Sequence, residues 1–196
     1  DDKYIFRKHQ NVIQNRALGV KLALSTLPKA YLQFLNSRKD KVVFYPWFTA
    51  VGFLIASHGL PPLLPSVTIV VSMLVIASCV YTYNDVIDLE MDRLNPNKMN
   101  RPLPSGKVSV QEAMRIVYIS GFIGVGLLFF TNLPTFLLCV TYMALFLAYS
   151  NPYIRFKKRF ILKEGTLAAG AFMMPLIGGI AVGSISPAVI FVATFI

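Results

Sequence analysis

Three aspartates stand close together near the middle of the chain, in the run Asn84-Asp85-Val86-Ile87-Asp88-Leu89-Glu90-Met91-Asp92. Their spacing is i, i+3 and i+7. On a helix Asp85, Asp88 and Asp92 therefore share one face, with Asn84 beside it. Three like charges at that spacing repel one another. They also lie toward the negative end of the helix that leads into them. A divalent cation would reverse the sign of the problem. Carboxylate oxygens on one face suit Mg2+, which keeps several waters and shares its sphere with phosphate groups. The plainer alternative is a solvated acidic helix end. The apolar residues among the acids, Val86, Ile87, Leu89 and Met91, favour the metal.

Phosphate also needs cations, and they follow directly, in Arg93-Leu94-Asn95-Pro96-Asn97-Lys98-Met99-Asn100-Arg101 and on to Lys107. Arginine grips phosphate through two parallel hydrogen bonds, and lysine meets it as a point charge. Arg93 and Arg101 are the candidates for that work, whereas Lys107 and Arg115 read as topological charges. Pro102 and Pro104 stiffen the loop, and Ser105-Gly106 makes a turn. Ser109 and Glu112 then form a capping box that starts the next helix. A second basic run, Tyr149-Ser150-Asn151-Pro152-Tyr153-Ile154-Arg155-Phe156-Lys157-Lys158-Arg159, falls further on. Closure over a diphosphate and anchorage to anionic lipid are equally open readings of it.

These residues need a scaffold, and composition says what kind. The chain has 196 residues, 55% hydrophobic and only 14% charged, against about 25% charged in a soluble domain. Mean hydropathy is +0.59. So apolar a chain has no reason to stay disordered. Its two cysteines, Cys79 and Cys139, sit in apolar runs and exclude a disulfide-stapled module. All 19 basic residues fall within 1–41, 84–115 and 150–165, and the stretches 42–84, 116–154 and 165–196 carry no charge. A net charge of +10 distributed as flanks of apolar runs fits a membrane surface and not a nucleic acid.

A helix crosses the hydrocarbon with about 20 apolar residues. The charge-free stretches break at Gly59-Leu60-Pro61-Pro62 and at Thr131-Asn132-Leu133-Pro134. They predict an all-α, polytopic bundle with spans at 42–59, 64–84, 112–130, 134–150 and 165–183, and a sixth beginning near Pro187. Short uncharged connectors alternate with long basic ones. The positive-inside rule puts the basic set, the N-terminus and the aspartates on the cytoplasmic side of a cell membrane. Residues 1–41 form a separate basic segment in which an interfacial helix between Ile13 and Leu35 and a basic arm both fit, with Pro28 arguing for a break. Small residues, among them Gly121, Gly124, Gly126, Gly170, Gly178, Gly179 and Gly183, predict close helix packing.

The pairing of Asn-Asp-x-x-Asp-x-x-x-Asp at 84–92 with Asn-Arg-Pro-Leu-Pro-Ser-Gly at 100–106 resembles the UbiA superfamily of intramembrane prenyltransferases. The resemblance covers about residues 40–196. It implies a nine-helix bundle and Mg2+-dependent transfer of a prenyl group from a prenyl diphosphate to an acceptor. Asn84, Asp85, Asp88 and Asp92 would form the first aspartate-rich motif, with Asp88 and Asp92 on the metal. Arg93 and Arg101, with Lys158 and Arg159, would neutralise the diphosphate. The loop looks most like that of digeranylgeranylglyceryl phosphate synthases, which implies a geranylgeranyl donor and geranylgeranylglyceryl phosphate as acceptor, in membrane lipid biosynthesis. An aromatic acceptor, as in quinone or chlorophyll pathways, and a non-catalytic prenyl-lipid-binding subunit are the alternatives. The family's second aspartate-rich motif follows its sixth helix, whereas this sequence starts without Met and stops at Ile196 inside that helix. The expectation is a piece of a longer protein, inactive by itself.

Overall fold

The computed structural model describes residues 25–195, and the part of the N-terminal reading that falls on residues 1–24 lies outside them. The described chain is helical throughout: α1 (25–37), α2 (Lys39–Ala56), α3 (Leu63–Ile87), α4 (Leu89–Arg93), α5 (Val110–Leu128), α6 (Leu133–Ser150), α7 (Phe160–Ala181) and α8 (Pro187–Phe195). A single 3-10 turn, Phe156–Lys158, precedes α7. Four helices, α3, α5, α6 and α7, are long and apolar enough to cross a membrane. The expected first span, α2, differs from them by carrying Lys39, Asp40 and Lys41 in its opening turn.

The helices start earlier than the uncharged windows do. α2 begins at Lys39 and not at 42, and α7 at Phe160 and not at 165. Charged side chains in a first turn can reach toward water along the helix, so they do not end it. In α7 the pair Lys163–Glu164 closes at 2.9 Å inside the helix. α2 ends at Ala56, before the expected 59, because His58 turns the chain with a left-handed φ of 48°. The capping box is present: the Glu112 amide donates to Ser109 Oγ at 3.2 Å and the Ser109 amide to Glu112 Oε2 at 2.9 Å.

Helices α2, α3, α6 and α7 form a ring, each touching the next, with α5 packed outside α3 and α8 against α7 and α2. Tyr45, Phe53, Ile69, Met73, Ile76, Tyr142, Phe146 and Ile177 fill its centre. The contact between α2 and α7 is backbone to backbone. A Cβ at Gly52 would overlap the Pro175 carbonyl, and one at Gly178 would overlap that of Thr49. Close packing at Gly178 was expected, but Gly52 on the facing helix, which meets Pro175, was not singled out, and Gly126 faces open space.

The connectors 88–109 and 151–159 meet at one end of the ring, where Lys157 pairs with Asp88. At the other end Asn132 Nδ2 donates to the Ile180 carbonyl at 2.7 Å. α1 buries Ala30 and Phe34 among Leu89, Leu103, Val108, Ala113 and Ile116, and Arg38 follows it into the bundle.

Candidate active site

A cavity of about 360 Å3 opens at the mouth of the helix ring, within the size range of small-molecule sites. One part of its wall is cationic: Arg38, Lys41, Lys98, Arg101 and Lys157. Another is apolar or aromatic: Tyr45, Val80, Tyr81, Phe146, Tyr149 and Leu167. Asn84, Asp88 and Ser150 complete it.

The three aspartates follow one nearly continuous helical path. α3 ends at Ile87 and α4 starts at Leu89, with Asp88 at the junction. The turns continue across it, since the Asp88 amide donates to the Asn84 carbonyl at 3.0 Å and the Asp92 amide to the Asp88 carbonyl at 2.8 Å. Each carboxylate is met by its own cations. Asp85 takes a two-pronged bond from Arg38, from Nε at 3.2 Å and from Nη2. Asp88 Oδ1 accepts from Lys157 Nζ at 2.6 Å and lies 3.8 Å from Arg155 Nη2. Asp92, with its side chain only 3% exposed, accepts from Lys98 Nζ at 2.7 Å and stands 3.5 Å from Arg101 Nη1. Five basic side chains from three segments thus offset the repulsion that the spacing builds in. Among the described residues no three His, Cys, Asp or Glu side chains converge as a metal cage.

Of the residues expected in the site, Asn84, Asp88 and Arg101 line the cavity, while Asp85 and Asp92 stand behind the cations that line it. Arg93 points elsewhere, donating to Glu90 at 2.9 Å on the surface. Lys158 and Arg159 are exposed. Their neighbours Lys157 and Arg155 take the inward places instead. The cause is Arg155, whose φ of 48° is left-handed and which enters the 3-10 turn there. Such a backbone costs roughly 1–2 kcal/mol for a residue with a Cβ, and it sets which lysine of the run faces Asp88. No sequence signal marks that φ. Arg38, Lys41 and Lys98 were also not singled out, because Arg38 and Lys41 precede the apolar run and look like ordinary flanking charge.

Asn84 ties the site to the ring. Its Oδ1 accepts from Ser150 Oγ at 2.9 Å and from Lys157 Nζ at 3.3 Å, joining α3 to α6 and to the second connector. The Tyr81 hydroxyl donates to the Tyr45 hydroxyl at 2.6 Å, joining α3 to α2. The arrangement can hold a strongly anionic head among fixed cations while an apolar body lies against the rings beneath it.

Comparison with known proteins agrees with this architecture. Residues 45–196 match the UbiA prenyltransferase family. The 4-hydroxybenzoate octaprenyltransferase of Francisella tularensis subsp. novicida is 31% identical over 128 residues, 65% of this chain and 44% of that protein. Protoheme IX farnesyltransferase 1 of Shewanella loihica is 30% identical over 128 residues, 62% of this chain and 43% of that one. The chain thus spans less than half the length of these curated relatives. A solved structure of digeranylgeranylglyceryl phosphate synthase superposes with a TM-score of 0.75 at 25% identity, covering 85% of this chain and 57% of that one. A UbiA homologue from Archaeoglobus fulgidus bound to DMAPP and Mg2+ superposes with a TM-score of 0.70 at 23% identity, covering 84% and 59%. A match over three quarters of the chain, on a helical membrane bundle whose acidic motif lies at the ring mouth, shows that this chain belongs to the UbiA prenyltransferase family.

Proposed function

We propose that the full-length protein transfers a prenyl group from a prenyl diphosphate to a lipid acceptor at this cavity, and that residues 42–196 are the N-terminal part of its transmembrane domain. The observation that carries the reading is the chemistry of the lining, which divides between cations with Asp88 and the apolar or aromatic Tyr45, Val80, Phe146 and Leu167. A prenyl diphosphate has the same division. Lys98, Arg101 and Lys157 would bind and orient the diphosphate as it leaves. Arg155, which does not line the cavity, adds positive charge beside it through Nη2, 3.8 Å from Asp88 Oδ1. The apolar side would keep water from the reacting carbon.

The donor set fits Mg2+. Asp88 and Asn84 present oxygens to the cavity, with Asp92 one turn on, and phosphate and water would supply the other ligands. Bound there, the ion would act as a Lewis acid on the diphosphate. The cationic end would face the cytoplasm of a cell membrane.

For the acceptor we favour geranylgeranylglyceryl phosphate, with geranylgeranyl as the transferred group. A phosphorylated acceptor brings a second anion, and besides Arg38, which is committed to Asp85, the cavity wall carries four cations for the two heads, Lys41, Lys98, Arg101 and Lys157. The likeness to digeranylgeranylglyceryl phosphate synthase supports the same reading. An aromatic acceptor is the second reading, favoured by the 31% identity to a 4-hydroxybenzoate octaprenyltransferase. The test gives the full-length protein radiolabelled geranylgeranyl diphosphate with both acceptors in competition. Label on the glyceryl phosphate lipid is expected, and label mainly on the aromatic ring would reject that acceptor. Neither product and no diphosphate release would reject catalysis and leave a prenyl-lipid-binding subunit.

A further inference from the structure

Arg38 stands where α1 meets α2, ahead of the residues that match the family. Its side chain is 6% exposed, and that of its partner Asp85 is 4%. Both ends of the guanidinium fork are engaged, and its carbon lies 5.7 Å from the centre of the Tyr81 ring. A pair so withdrawn from water adds little net stability, because desolvation offsets most of the attraction. Breaking it on one side only is costly, since a bare charge is left behind.

The pair fixes more than two residues. Helix α1 runs directly into Arg38, whose amide donates to the Leu35 carbonyl at 3.2 Å. One turn earlier, Ala30 and Phe34 pack with Leu89, Leu103 and Val108. Leu103 and Val108 belong to the connector that carries Lys98 and Arg101. α1 therefore lies across that connector, held at its C-terminal end by Asp85.

We propose that Arg38 and Asp85 are positioning residues, a latch that seats α1 as a strap over the connector and so places Lys98 and Arg101 at the cavity. Asp85 acts through Arg38 and not on a metal. The proposal rests on the diphosphate reading of the cavity. It assigns different work to the first aspartate of the motif than to Asp88 and Asp92.

The test uses the full-length protein in detergent with Arg38→Lys, Arg38→Gln, Asp85→Asn and the double variant Arg38→Gln/Asp85→Asn. Three quantities are read: the melting temperature, the Kd for geranylgeranyl diphosphate, and the Mg2+ concentration that half-saturates that binding. The double variant should melt above both Arg38→Gln and Asp85→Asn, because it leaves no bare charge. Arg38→Lys keeps the charge without the fork and should weaken geranylgeranyl diphosphate binding by about tenfold. The Mg2+ midpoint should stay within about twofold in every variant, as expected where no metal ligand has been changed. A rise of tenfold or more in that midpoint for Asp85→Asn would overturn the proposal. Coupled melting temperatures with unchanged affinity would reduce the pair to a structural contact and overturn the positioning role. Wild-type protein that binds the diphosphate without transferring it would reject the catalytic reading and leave the latch decided by these data. Wild-type protein that does not bind it would reject the reading of the cavity.

Discussion

Lys157 reaches back 69 residues to place its ammonium 2.6 Å from Asp88 Oδ1. That bond joins the second basic connector to the acidic motif and closes one wall of the cavity. Lys158, next in sequence, faces outward. The two lysines should behave differently. In the full-length protein Lys157→Met should raise the KM for prenyl diphosphate by about 10- to 100-fold, the loss expected for one charge-assisted hydrogen bond. Lys158→Met should change it by less than about twofold, as for an exposed charge. Steady-state kinetics of the pair decide this, and equal effects would mean that the turn does not select Lys157.

Asp88→Asn and Asp92→Asn should each abolish transfer while leaving the protein folded by circular dichroism. Each would deprive the site of a hard anionic oxygen and leave its lysine without a counter-charge. Arg93→Ala should retain most activity, because its ion pair with Glu90 is solvent-exposed and worth roughly 0–1 kcal/mol. Substantial activity in both aspartate variants would remove them from the metal.

Topology can be checked by cysteine labelling. Single cysteines at Lys98 and Lys158 should react from one side of the membrane and one at Asn132 from the other. The first two lie on connectors that meet at the cavity end of the ring, and Asn132 bonds Ile180 at the opposite end. Both native cysteines, Cys79 and Cys139, are buried. Labelling of positions 98 and 132 from the same side would overturn the arrangement.

Gly52→Ala should lower the melting temperature, since its Cβ meets backbone that cannot rotate away. Overpacking of that kind costs roughly 1–3 kcal/mol. Gly126→Ala meets nothing and should be neutral or stabilising by about 0.5–1 kcal/mol, the usual gain over glycine inside a helix. A melting curve for each in detergent is sufficient, and a stable Gly52→Ala would contradict the close approach of α2 and α7.

The sequence carried the helices well, because hydropathy and charge are properties of a local window. Breaks at Pro61-Pro62 and Asn132-Pro134, and the capping box at Ser109, needed no tertiary information. The acidic motif was legible for the same reason, since i, i+3 and i+7 define a face without reference to any neighbour. What that face meets was not. Arg38, Lys98 and Lys157 come from three separate segments, and only the folded ring brings them together. The choice of Lys157 over Lys158 depends on one positive φ at Arg155 that composition does not encode. Likewise the glycines of later spans drew notice by their number, whereas Gly52, lone within α2, gave no local sign of the contact it makes.

That contact has a mechanical consequence. Interfaces made of side chains give way by rotamer changes, in small and cheap steps. Where Gly52 meets Pro175 and Gly178 meets Thr49, no side chain lies between the two helices to absorb a displacement. Helices α2 and α7 must therefore travel as one rigid plate. Any breathing of the bundle is confined to seams cushioned by side chains, such as that between α5 and α6 where Tyr118, Phe122 and Met143 border an open groove.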